Sequence, residues 1–152
     1  MSIFGTNNIM QVAVVVKDIE VTKRKYAEFL GVEPPPTRGT GDYAVTQTTY
    51  KGQPAPKVAC KMAFFDIGPG LQLELIEPNG EKSAWQDYLD EHGEGVHHLA
   101  FGVKNTDEKI AVAEKFGFPL IQRGTYGDGS GEYAYFESYK DLKLLVETLE
   151  SY

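Results

Sequence analysis

From Ile9 to Val16 the chain reads IMQVAVVV, a β-branched apolar run too short for a helix and closed by the polar pair Lys17-Asp18, which predicts a strand. From Ile19 to Leu30 the period changes. Ile19, Tyr26, Phe29 and Leu30 recur at helical spacing while Lys23, Arg24, Lys25 and Glu28 take the opposite face, so an amphipathic helix is expected, opened by Asp18 and stopped at Gly31. The segment Glu33 to Asp42 (EPPPTRGTGD) is too rich in Pro and Gly for regular structure. Beyond it, Ala44 to Tyr50 reads as a strand and Lys51 to Pro56 as a loop. Lys57 to Ile67 and Leu71 to Glu77 read as two further strands joined at Gly68-Pro69-Gly70. The order is βαβββ.

Glu81 to His92 carries Ser83 with Gln86 three residues later, a capping-box spacing, and places Trp85, Tyr88 and Leu89 on one face, so a linking helix ending at Gly93 is expected. The order then starts again. Gly95 to Val103 (GVHHLAFGV) reads as a strand and Thr106 to Phe116 as a helix followed by Gly117. Leu120 to Gln122, Glu132 to Glu137 and Lys143 to Leu149 read as three more strands. Gln11 to Asp18 and His98 to Asn105 both span 7 residues, and Gln11 to Gly31 spans 20 where His98 to Gly117 spans 19. Such agreement marks an internal repeat. The fold class predicted is α+β: two tandem βαβββ modules forming an open, cup-shaped mixed sheet with helices on the outside. Residues 1–152 form one domain, with module 1 at about 7–80, the linking helix at about 81–93 and module 2 at about 94–152.

Side chains alternate between the faces of a strand, so parity tells which residues share a surface. Gln11, Ala13 and Val15 share one face of the first strand; His98, Ala100 and Gly102 share the matching face of its repeat, with His97, Leu99 and Phe101 opposite. Glu74 lies with Gln72 and Ile76 in the strand that closes module 1, and Glu147 with Leu145 and Leu149 in the strand that closes module 2. Two carboxylates thus fall within apolar strands, with no Lys or Arg on the same face of these four strands. Burying such a charge costs several kcal/mol unless it is paired or bound to a metal. Gln11, Glu74, His98 and Glu147 together offer an amide oxygen, two carboxylates and one imidazole. That set suits one divalent ion such as Zn, Ni, Co, Mn or Fe, and its lack of thiolate argues against a closed structural zinc site. Such an ion polarises a carbonyl and stabilises the enediolate formed when an adjacent proton is removed, with a carboxylate as base.

Composition narrows the partners. Net charge is -7 with a sequence pI near 5.0, so a basic surface for nucleic acid is not expected. Cys60 is the single cysteine, which excludes an internal disulfide and is most simply a small core residue. No basic leader and no run of ~20 apolar residues is present, so the expectation is a cytoplasmic protein without a membrane partner.

The tandem plan, with VHHLAF at 96–101, LELIEP at 73–78 and LVE at 145–147, resembles the vicinal oxygen chelate superfamily over nearly the whole chain. The stretch from Leu73 to Phe101 is most similar to methylmalonyl-CoA epimerases and glyoxalase-like proteins near them. The resemblance implies metal ligands at Gln11, Glu74, His98 and Glu147, with Glu147 as the leading catalytic base and Glu74 as a second one. It implies a metal-dependent lyase, isomerase or epimerase acting on a small molecule (a thioester, hemithioacetal or keto compound), and a homodimer. In the epimerases a His is usual where Gln11 stands, whereas eukaryotic-type glyoxalase I is similar in using Gln, Glu, His and Glu. The epimerases also carry a further acid where this chain has Gln47. Lactoylglutathione lyase proper, a metal-free binding protein of the bleomycin-resistance type and an extradiol dioxygenase stay open as alternatives. His97 is expected on the helix-packing face and His92 as a helix-end cap. Tyr133, Tyr135 and Phe136 are candidates for the cup lining or the core, and the glycine-rich stretch 127–131 for a mobile loop over the cup.

Overall fold

The computed structural model describes residues 1–152. In chain order the elements are β1 (Ile9–Val15), α1 (Ile19–Leu30), β2 (Arg38–Gly39), α2 (Tyr43–Thr46), β3 (Thr49–Tyr50), β4 (Gln53–Pro54), β5 (Cys60–Gly68), β6 (Leu71–Pro78), α3 (Ala84–His92), β7 (Gly95–Gly102), α4 (Thr106–Phe116), β8 (Leu120–Thr125), β9 (Gly131–Phe136), α5 (Tyr139–Leu142) and β10 (Leu145–Ser151). The strands form one curled mixed sheet in the order β2-β5-β6-β1-β7-β10-β9-β8-β3-β4. Module 1 supplies β2-β5-β6-β1 and module 2 supplies β7-β10-β9-β8, each a βαβββ unit. They meet where β1 and β7 pair antiparallel.

The helix signals act as expected. Asp18 accepts from the backbone N–H groups of Glu20 and Val21, Ser83 from that of Gln86, and Gly31 closes α1 in the left-handed conformation. On the convex face, α1 covers β5 and β6 through Ile19, Ala27, Phe65 and Leu75, while Ala113 and Phe118 meet Phe136 and Val146 beneath α4. The third long helix packs differently. Trp85 and Tyr88 of α3 join Ala13, Ile76, Tyr135 and Leu145 on the concave side, so α3 plugs one end of the cup.

The strand expected at 44–50 is corrected. Asp42 caps Tyr43–Thr46 as a helical turn, accepting from Ala44 N–H at 2.9 Å, and only Thr49–Tyr50 remains extended. Local capping outweighs the β propensity of Val45 and Thr46. The second strand of module 1 is instead the two-residue β2, paired with β5 at Arg38↔Met62 and Gly39↔Lys61. The intervening chain crosses the molecule. Its β3-β4 hairpin adds to the outer edge of module 2 at Thr49↔Arg123 and Tyr50↔Gln122, and the Tyr50 hydroxyl donates to Asp87 of α3.

That crossing brings two rims together over the cup. Gly41, at φ +94°, lies so close to Gly127 that an added Cβ would come within 2.7 Å of the Gly127 Cα. The stretch 127–131 is the tight end of the β8-β9 hairpin held against the Gly41 rim, and Asp128 Oδ1 accepts from Ser130 N–H at 2.9 Å. Gly31→Ala, with open space around it, should lose only the roughly 1–2 kcal/mol of left-handed backbone strain. Gly41→Ala adds a backbone clash, so urea unfolding should show it at least ~1 kcal/mol less stable than Gly31→Ala. Equal losses would contradict the rim contact.

Candidate functional site

The four predicted donors sit on two rungs across the middle of the sheet, with the Leu73, Val12, Leu99, Val146 rung between them. One rung reads Glu74, Ala13, His98, Leu145; the other reads Gln11, Ala100, Glu147, Tyr135. Glu74 and His98 therefore flank Ala13, and Gln11 and Glu147 flank Ala100, with the flanking Cα atoms roughly 9–10 Å apart at the usual strand spacing. Both alanines are fully buried. Each leaves the gap into which two long polar side chains converge.

His98 reaches Gln11 and Glu147 directly. Its Nε2 lies 3.0 Å from Gln11 Oε1 and 2.9 Å from Glu147 Oε2. Glu147 Oε2 nevertheless accepts no hydrogen bond, although it is shut off from solvent. Glu74 is equally buried on the floor, where its charge and that of Glu147 act on one another. As the side chains stand, no three His, Cys, Asp or Glu groups are gathered tightly around one point.

Burial dominates the electrostatics. It pushes the Glu147 carboxyl up from 4.5 to about 8, against a smaller pull downward from the Tyr135 hydroxyl. Trp85 Nε1 donates to that hydroxyl at 3.0 Å, which leaves the Tyr135 O–H free to donate onward. Glu74 is raised well above its usual range, first by burial and then by Glu147. His97 and His98 are held down to about 3 by burial, so both are neutral at pH 7 and neither compensates the carboxylates. A divalent cation fits this donor set on three counts. Two buried carboxylates have no cationic partner, a buried carboxylate oxygen is orphaned, and an amide oxygen and an imidazole nitrogen approach within 3.0 Å beside it.

Above the donors lies a cavity of about 570 Å³ lined by Gln11, Glu74 and Glu147 at its floor; His98 is buried behind them. Tyr133 and Tyr135 reach this cavity, whereas Phe136 turns into the convex core. Thr46, Thr48, Gln72 and Trp85 also line it and were not foreseen as site residues. Gln47 is exposed, with its side-chain N–H group donating to the Tyr43 carbonyl at 3.1 Å, so it does not enter the cup. Cys60 is a buried core residue, and His92 stacks on Tyr139 at 3.8 Å.

His97 requires a correction. Strict alternation puts it opposite His98, but the pairing of β7 with β1 slips from Ala13↔His98 to Val14↔Val96, leaving His97 as the extra residue of a β-bulge. Both imidazoles are fully buried and their Nδ1 atoms lie 2.8 Å apart. Two adjacent histidines opposite Ala13 and Val14 gave no sequence signal for this slip.

Residues 10–136 match the Glyoxalase/Bleomycin resistance protein/Dioxygenase superfamily. The chain belongs to this superfamily. The glyoxalase-superfamily chain is 32% identical over 90 residues to the uncharacterized protein YqjC of Bacillus subtilis (strain 168), a match covering 59% of this chain and 64% of that protein. Among solved structures it is similar to the hypothetical protein BH1468 from Bacillus halodurans C-125, at 24% identity over 95% of this chain and 94% of that one, with a TM-score of 0.66. A variant Streptomyces coelicolor methylmalonyl-CoA epimerase in complex with 2-nitronate-propionyl-CoA matches at 22% identity over 94% and 96%, TM-score 0.66. The methylmalonyl-CoA epimerase from Mycobacterium tuberculosis matches at 18% identity over 100% and 93%, TM-score 0.66. At these identities the solved structures show the shared fold.

The raised carboxyl has a stability signature. The unfolded chain releases the Glu147 proton near pH 4.5 while the folded chain keeps it to about pH 8, so the native state loses stability as pH rises through that window. Thermal melts in a chelator should therefore show Tm of the metal-free protein falling from pH 5 to pH 8. Glu147→Gln should make that fall shallower, leaving the share that Glu74 contributes; an unchanged slope would contradict the assignment.

Proposed function

We propose that the protein is a metal-dependent lyase, isomerase or epimerase of the glyoxalase-like type that removes a proton next to a carbonyl. The observation that carries this reading is the pair of buried carboxylates, Glu74 and Glu147, set on the floor of the cup with no Lys or Arg paired to them. Gln11, Glu74, His98 and Glu147 would hold the ion. When bound, it would polarise the substrate carbonyl and balance the negative charge that follows proton removal.

The protein's own side chains supply the rest. Glu147 is the leading base, because a carboxylate whose pKa has been driven toward 8 matches a proton-transfer task near neutral pH. The Trp85-to-Tyr135 hydrogen bond holds the ring that contacts it. Glu74, on the other module, would serve as the second base and return a proton, which is what an epimerisation requires. The α3 plug and the joined rims at Gly41 and Gly127 wall the cavity above this floor.

Arg38 is the one cationic side chain in the cup lining and makes no ion pair, which favours a substrate with an anionic portion at the mouth. Thioesters of the kind bound by the Streptomyces epimerase therefore head the substrate panel, followed by hemithioacetals and keto compounds. Each is incubated in deuterated water with protein and divalent metal, and exchange at the carbon next to the carbonyl is read by NMR. The expected result is exchange by the wild type, reduced roughly 10²–10⁴-fold in Glu147→Gln. Exchange retained in that variant would remove Glu147 from the role of base.

A further inference from the structure

His97 does not line the cavity, yet it is fully buried and has both ring nitrogens engaged. Its Nε2 stands 2.9 Å from the carbonyl oxygen of Ala84, the first residue of α3, and its Nδ1 stands 2.8 Å from Nδ1 of His98. A carbonyl oxygen can only accept. In a neutral ring the His97 hydrogen must then sit on Nε2, and Nδ1 presents a lone pair. The atom facing that lone pair is His98 Nδ1, which must carry the hydrogen of the second ring. His98 is left with a bare Nε2, and that nitrogen lies beside Glu147 Oε2 and Gln11 Oε1.

We propose that His97 is a positioning residue that locks His98 in the Nδ1–H tautomer and so presents a bare Nε2 lone pair to the cation site. A bare Nε2 needs donors in the metal-free protein: a protonated Glu147 carboxyl supplies one across 2.9 Å, and the Gln11 amide another when its N–H group rather than Oε1 faces the ring. The chain that fixes the tautomer runs from the Ala84 carbonyl through His97 to His98, so the start of α3 sets the donor state of a residue on β7. The β7 bulge makes the contact geometrically accessible, because regular alternation would put these two rings on opposite faces. A group that hydrogen-bonds the far nitrogen of a ligating imidazole orients the ring and raises its affinity for metal. The purpose assigned to His97 rests on the metal reading above; the tautomer itself does not.

Long-range proton–nitrogen NMR of the metal-free protein reads the tautomer directly. The expected spectrum has His97 protonated at Nε2 and His98 at Nδ1; a His98 protonated at Nε2 overturns the proposal. Zn²⁺ affinity, measured by competition with a chromophoric chelator, and the visible spectrum of the Co²⁺-loaded protein supply a second readout. His97→Asn keeps an acceptor at the Nδ1 position and should stay within ~3-fold of wild type. His97→Leu removes it and should lose roughly 10–100-fold in affinity. A folded His97→Leu that binds Zn²⁺ as tightly as wild type overturns the proposal. If that variant does not fold, the wild-type spectrum and His97→Asn decide. A wild type that binds no Zn²⁺ or Co²⁺ overturns the metal reading and His97's purpose with it, while the spectrum still decides the tautomer.

Discussion

Two carboxylates buried on the floor of one cup, with no Lys or Arg side chain paired to them, are the constraint around which this molecule is arranged. Taking each charge from water costs several kcal/mol, and the neighbouring imidazole, itself buried, stays neutral and cannot repay it. The fold leaves three ways to relieve that cost: a proton on a carboxyl, a divalent ion, or the brief transfer of a substrate proton. The first raises the pKa toward the range where a carboxylate is a useful base, and the second makes the site a Lewis acid. The chemistry proposed follows from the same unfavourable burial.

The sheet makes this burial unavoidable. Because β1 and β7 pair at the join of the modules, the donors of one module are interleaved with those of the other on two alternate rungs. Neither module alone has more than two of them. Ala13 and Ala100 keep the space between donors open, and the side chains around it are held from behind: Tyr135 by Trp85, His98 by His97, and His97 by the start of α3. The plug helix is therefore both a wall of the cup and an anchor for its floor.

Much of this was legible in the chain because it follows from period and repeat. The spacing between Gln11, His98 and their following helices exposed the duplication, and strand parity told which neighbours Gln11, Glu74, His98 and Glu147 each share a face with in their own strands. What was not legible depended on departures from regularity. One bulged residue turned His97 from the helix-packing face into a partner of His98, and nothing in VHHLAF marks the slip. Asp42 converted the first half of an apparent strand into a capped turn, a local signal that β propensity masked. The β3-β4 hairpin docks onto β8 of the other module, a long-range pairing that no window of sequence contains. The rim contact between Gly41 and Gly127 follows from that crossing and was equally invisible.

Equilibrium dialysis against Zn²⁺, Co²⁺, Ni²⁺ or Mn²⁺, followed by metal analysis, tests the central claim most directly when wild type is compared with the double variant Glu74→Gln, Glu147→Gln. The account predicts one ion per chain in the wild type and none in the double variant, with the fold of both retained. No ion in the wild type, or equal binding by the two proteins, would contradict it.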